Sequence, residues 1–189
     1  MWDDGSVTAL HGHVDLGTGI RTALAQVVAE ELDIELSCIN MVLGNTASVP
    51  NQGATIASAS LQIHAAPLRA AAAQARAWLV TRAAAMNVSP SACAELLANQ
   101  HIELLVDLTT PLKPPAEHRI IGTSMPRLDI PAKVTGALTF VHDMRVPGML
   151  HGRVVRPPYA GADHGDFIGN TLQSVDESSI AHIPGIRAV

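Results

Sequence analysis

Apolar residues recur at helical spacing through Ile20, Leu24, Val27, Val28 and Leu32, with Arg21, Gln26, Glu30 and Glu31 opposite. This pattern predicts an amphipathic helix over Ile20–Leu32 with its glutamates on a solvated face. Short apolar runs flank it. Val7–His11 reads as a strand, with His13–Asp15 continuing or pairing with it, and Cys38–Leu43 reads as a second strand ended by Gly44-Asn45, which places Cys38 in the core. Ala47–Gly53, which contains Pro50, is a loop. From Ala57 to Met86 alanine is so frequent that propensity alone predicts helix, with Leu61, Leu68, Ala72, Ala75 and Leu79 on one face and a kink or restart at Pro67. Ser89-Pro90 resembles a cap with proline at the first helical position, opening a short helix to about Ala98.

His101–Leu108 is strand-like, and Thr109-Thr110-Pro111-Leu112-Lys113-Pro114-Pro115 is a stiff extended linker, so the chain divides at residues 109–118. Beyond it the pattern changes to short strands at Leu138–Val141 and Met149–Val155, with one helical turn near Ser178–Ala181. Ile186–Val189 reads as the start of another strand, which needs a partner. The chain is therefore expected to be incomplete, or completed by another chain.

Composition narrows the class. With 48% hydrophobic, 15% charged and 3% aromatic residues, the 189-residue chain is globular, has an aliphatic core, and is expected to bury surface against other chains. A net charge of -5, with Lys113 and Lys133 the only lysines, provides no basic patch for nucleic acid. Cys38 and Cys93 form no C-x-x-C pair, so thiolate-held zinc or iron–sulfur sites are not encoded. No apolar run reaches membrane-spanning length, and Met1-Trp2-Asp3-Asp4 does not open a signal peptide. The compartment stays open between the cytoplasm and the periplasmic face of the inner membrane.

Two turns carry the candidate chemistry. Val14-Asp15-Leu16-Gly17-Thr18-Gly19 runs into the first helix, and Asn51–Ser60 opens the alanine-rich one. Helix starts offer backbone N–H groups and a positive dipole end, so two such turns could converge on one anionic cofactor. Taken singly, the first reads rather as a tight strand-to-helix turn and the second as simple helix capping, so neither carries the case alone. The third glycine of a dinucleotide fingerprint would fall at Thr22, which disfavours a nicotinamide cofactor. His11, His13, His142-Asp143 and His164 match no metal-ligand spacing and read as surface or hydrogen-bonded residues. Asp15 is an available carboxylate, and no G-x-S-x-G elbow is present.

Gly12–Thr22 together with Thr55–Ser60 resembles the molybdopterin-binding subunit of the xanthine dehydrogenase and aldehyde oxidase family. Gly122–Gly136, Pro147–Pro158 and Ser174–Ser179 resemble that family's a/b hammerhead domain. A hammerhead that follows the pterin-binding turns is similar to the isoquinoline 1-oxidoreductase beta and nicotinate dehydrogenase branch. The resemblance implies a mixed α+β fold, with a molybdopterin-binding portion at 1–108, the linker at 109–118 and an incomplete hammerhead at 119–189. It implies a molybdenum hydroxylase that uses water to oxidise an aldehyde or an N-heteroaromatic compound. Its cofactor is molybdopterin, the cytosine dinucleotide form included.

Expected partners are the remainder of the molybdenum subunit, a 2Fe–2S subunit and a cytochrome c subunit. By motif match, Leu16, Gly17, Thr18 and Gly19 approach the metal and pyranopterin, while Thr55, Ala57, Ser58, Ala59 and Ser60 supply donors to the pterin and its phosphate. Thr18 stands where many relatives have glutamine. The family's G-x-G-E segment with its general-base glutamate is absent, as is its Gly-Gly-x-Phe-Gly segment, so no catalytic residue is expected here. Met86–Leu112 reads as shortened and Asp163–Asn170 as an insertion. A degenerate interaction subunit that holds no cofactor is the competing expectation.

Overall fold

The computed structural model describes residues 1–154 and 174–187. The predicted Val155, the motif residues Arg156-Pro157-Pro158, the Asp163–Asn170 insertion with His164, and the terminal Ala188-Val189 lie outside these described residues. The chain forms two compact units, Met1–Asp143 and Met144–Val189.

In the first unit β1 (Val7–His11) leads through a glycine turn into α1 (Ile20–Leu32), which returns to β2 (Ile39–Leu43). The two strands pair in parallel, from Val7 opposite Ile39 to His11 opposite Leu43. A parallel pair needs such a crossover, and α1 supplies it. Cys38 falls one residue before β2, in a 3-10 turn over Leu36–Cys38, and is half-buried rather than in the core.

The alanine-rich stretch is helical, as its propensity dictates, but it breaks earlier than its proline predicts. A short α2 (Ala59–Gln62) ends before His64, and α3 runs over Ala65–Met86. Pro67 sits in the first turn of α3, where a missing N–H costs nothing. Alpha-helix α4 (Cys93–Leu97) follows. Leu24, Ala25, Val28 and Ala29 of α1 pack with Val7, Ala9, Ile39 and Met41 of the strands and with Ala65 and Ala72 of the third helix. The small alanines of α3 let it lie close on α1, and each buried methyl contributes about 0.8 kcal/mol. Leu79, Ala83 and Leu96 form a second cluster.

Glu30 and Glu31 are buried at 1% and 0% exposure, contrary to the solvated face expected for them. The segment 113–121 explains this: its backbone N–H groups have no strand partner, and α1 supplies carboxylate acceptors instead. Glu30 accepts from the N–H groups of Arg119, Ile120 and Ile121 at 2.8, 2.6 and 3.0 Å and from Lys113 Nζ at 2.9 Å. Glu31 accepts from Lys113 N at 3.1 Å and from Arg69 Nε at 2.7 Å. Lys113 is itself buried and reaches Asp33 at 2.5 Å. Burial alone would raise the Glu30 carboxyl, but these donors outweigh it and hold the group down at about 2.

Other expected strands are not formed among the described residues. His101–Leu108 is irregular, with Leu105 almost fully exposed, and Leu138–Val141 gives way to a 3-10 turn at Val141–Asp143. Met149–Val154 is likewise not a strand. Apolar strand-like segments need a pairing edge to become strands, and only β1 and β2 pair among the described residues. A helix not foreseen, α5 (Ile130–Val134), starts after Asp129 with Pro131 in its first turn.

The second unit contains a 3-10 turn over Glu177–Ile180, at the place of the predicted helical turn. Asp176 caps it by accepting from Ser178 N at 3.0 Å.

Candidate functional site

The two sequence-predicted turns meet at their bases. β1 ends at His11, and Gly12 N donates to Gln52 Oε1 at 2.7 Å. Val14 N donates to Thr55 Oγ1 at 3.0 Å. Gly12 is required here: a Cβ at this position would stand 2.3 Å from the Pro50 carbonyl oxygen.

His13 joins the turns from within. Its Nε2 lies 3.3 Å from the Gln52 carbonyl and its Nδ1 lies 2.7 Å from Ser60 Oγ. A carbonyl only accepts, so Nε2 carries the proton in the neutral ring, and the Ser60 hydroxyl donates to Nδ1. Both side chains are buried, His13 fully. His11 is buried beside it, with ring centroids 5.3 Å apart, and accepts from His13 N through Nδ1. The His11 Nε2 has no partner among the described residues. Burial, then the neighbouring His13 ring, pushes its pKa down, so His11 is held neutral. His64 stacks obliquely on His13 at 4.3 Å. No group of three or more metal-ligating side chains occurs among the described residues. Ser60→Ala leaves His13 Nδ1 buried without a donor and should cost about 1–3 kcal/mol in urea unfolding; an unchanged midpoint would remove Ser60 from this junction.

The first turn is ordered by its own acid. Asp15 Oδ1 accepts from Gly17 N and Gly19 N at 2.9 and 3.1 Å, and Oδ2 accepts from Arg21 N at 3.2 Å. Burial would raise its pKa, but these N–H groups and Arg127 lower it. Asp15 is thus not an available carboxylate. It fills part of the helix start with the chain's own negative charge. Leu16, Gly17 and Thr18 are exposed, with Gly17 and Gly19 at φ 98° and 83°.

In the second turn Ala57 and Ser58 are exposed and both left-handed, at φ 54° and 55°. For residues with a Cβ this conformation costs about 1–2 kcal/mol each. Such strain is kept where the surroundings over-determine it, and it clusters at ligand clamps. Ala59 opens α2, and Ser60 turns inward to His13.

Sequence reasoning assigned no role in the site to His13, Gln52 or Arg127. Arg127 donates from Nη1 to the Gly17 carbonyl at 2.9 Å. Its R-x-D spacing to Asp129 is the one local signal, and the two pair at 2.7 Å.

Residues 1–104 match the family model of the molybdopterin cofactor-binding domain. The chain belongs to this family. It is 56% identical to a nicotinate dehydrogenase subunit of Pseudomonas putida over 99% of its length and 17% of that protein's. It is 29% identical to the beta subunit of isoquinoline 1-oxidoreductase of Brevundimonas diminuta over 98% of its length and 30% of the relative's. Aldehyde oxidase 2 of Macaca fascicularis is 44% identical over 34% of this chain and 5% of that protein. The chain thus spans less than a third of these relatives. No solved structure matches it.

The second turn of this molybdopterin-binding domain presents a lining compatible with a polar group. Ala57 and Ser58 place strained backbone and a hydroxyl at an exposed surface, and the buried His13–Ser60 bond anchors the turn from below. At the first turn the N–H groups of Gly17, Gly19 and Arg21 already serve Asp15. Donors left for a ligand there must come from elsewhere in Leu16–Gly19.

Proposed function

We propose that the chain forms part of the cofactor cradle of a molybdenum hydroxylase. The substrate would be an N-heteroaromatic compound or an aldehyde, with water as the oxygen donor. The observation that carries this reading is the stitching of the two turns through Gly12–Gln52, Val14–Thr55 and His13–Ser60 in a molybdopterin-binding domain. The 56% identity to a nicotinate dehydrogenase subunit favours the heteroaromatic class.

In this reading Leu16, Gly17, Thr18 and Gly19 line the metal and pyranopterin end, and Thr55, Ala57, Ser58, Ala59 and Ser60 lie along the pterin and phosphate. Ser58, exposed, would donate to the phosphate, and Thr55, whose oxygen accepts from Val14 N, keeps its O–H free to donate as well, whereas Ser60 acts through the turn's shape because its hydroxyl is engaged with His13. Bound there, the molybdenum cofactor supplies the redox centre that takes up the substrate's electron pair. The residues of this chain bind and orient. The acid–base glutamate, the 2Fe–2S clusters and a cytochrome c acceptor belong in this reading to other segments or subunits. Residues 1–108 form the cofactor portion, 109–118 the connection and 119–189 the opening of the hammerhead domain. Among the described residues no helix is long and apolar enough to cross a membrane.

Gly17→Val, at a φ that a β-branched residue resists, and Ser58→Ala should each lower bound pterin about five- to tenfold in the purified complex. Pterin fluorescence after oxidation and metal analysis measure this. Pterin at wild-type level in both variants would instead mean that these turns do not hold it and that the chain serves interaction alone, the reading that Asp15's occupation of the first helix start favours.

A further inference from the structure

Segment 127–133 lies on the first turn and helix start of the same compact unit. Arg127 Nη1 donates to the Gly17 carbonyl at 2.9 Å, and Leu128 N donates to the buried Thr22 Oγ1 at 3.0 Å. The guanidinium is held in a two-point fork by Asp129, at 3.0 Å from Nε and 2.7 Å from Nη2. Asp129 is braced in turn by Lys133 Nζ at 2.5 Å. The same guanidinium covers Gly19, where a Cβ would lie 3.7 Å from its Cζ. On the other side of the turn, Asp15 gathers the N–H groups of Gly17, Gly19 and Arg21. The turn is therefore gripped by an anion through its N–H groups and by a cation through a carbonyl.

In a trans peptide the C=O and N–H of one unit point in opposite directions. Pinning the Gly17 carbonyl on Arg127 therefore aims the N–H of Thr18 the other way. That N–H has no acceptor among the described residues, and Thr18 is exposed. We propose that Arg127, fixed by Asp129, is a positioning residue that orients the Gly17–Thr18 peptide and presents the Thr18 N–H as the ligand-facing donor of the first turn. The ligand chemistry is an oxyanion or oxo group of the bound cofactor, so this inference rests on the reading above. It also explains how a threonine can stand in this turn: the donor comes from the backbone and needs no side-chain amide.

Two measurements separate the inference from the reading it rests on. Amide exchange on the full chain without cofactor reads the grip alone. Arg127→Met should speed exchange at the bonded Gly17 and Gly19 amides about tenfold and leave α1 and α3 protection unchanged, and Arg127→Lys should restore part of it. Unchanged exchange in Arg127→Met overturns the grip whether or not cofactor binds. In the purified complex, Arg127→Met should lower bound pterin about tenfold, with kcat per complex falling alongside it and KM staying near wild type. Faster exchange with wild-type pterin content overturns the donor role. If the wild-type complex holds no pterin, the cofactor reading and the donor role fail together, while the exchange result still judges the grip. Should Arg127→Met not fold, Asp129→Asn, which loosens the fork, should give the same pattern at smaller amplitude, and its absence overturns the inference.

Discussion

Glu30→Ala should lower the unfolding free energy by about 3–5 kcal/mol, because it leaves three backbone N–H groups without their acceptor and a buried ammonium with Asp33 as its one remaining carboxylate. The affected groups are Lys113 Nζ and the amides of Arg119, Ile120 and Ile121. Glu30→Gln keeps an acceptor for the amides and removes the charge, so a smaller loss is expected. Urea titration gives the magnitude, and a Glu30→Ala midpoint equal to wild type would show that the 113–121 segment is not held this way.

The same carboxylate sets a pH dependence whose sign is fixed. Its folded pKa, about 2, lies below the ordinary value of 4.5. Its contribution is therefore whole above the ordinary value and is lost as pH falls towards the folded one, amounting to about 3 kcal/mol. His11, depressed from 6.5, acts in the same direction at milder acidity, since protonating it must charge a buried ring. The acid limb of stability should flatten in Glu30→Ala but keep its His11 component.

Gly12→Ala should cost about 1–3 kcal/mol, and more if the junction opens, because its Cβ meets backbone and not a flexible side-chain end. The contacts are the Pro50 carbonyl oxygen at 2.3 Å and Gln52 N at 3.0 Å. Relief requires residues 50–52 to move away, which also breaks the bond from Gly12 N to Gln52 Oε1 and the one from His13 to the Gln52 carbonyl. Gly152→Ala, with nothing within 4 Å, serves as control and should stay within about 0.5 kcal/mol of wild type. Thermal unfolding of both variants decides: equal effects would remove the special standing of Gly12.

The first helix and the two strands were legible because each is specified locally, by spacing in α1 and by bounded apolar runs in β1 and β2. The two turns were legible as a pair through their glycines and hydroxyls. What holds them together was not, since His13 and Ser60 are 47 residues apart and either alone reads as a polar surface residue. The burial of Glu30 and Glu31 was hidden for the same reason: their polar spacing on α1 is that of a solvated face, and only the distant Lys113 and Arg69 reverse it. The expected strands at 101–108 and 138–141 failed differently, because a strand is a property of a pair and apolar composition alone does not supply a partner.

The grip of α1 on the 113–121 segment also bears on the order of assembly. The bonds from Glu30 to Lys113 and to Ile121 close loops of 83 and 91 residues. Contacts so distant in sequence form after local ones, since loop closure must precede their reward. As the chain emerges during synthesis, α1 can pair with β1, β2 and α3, whose Arg69 meets Glu31, while Glu30 still faces water. The hydrated Glu30 carboxylate then keeps that half-built surface soluble, and it loses its water only when the 113–121 segment arrives.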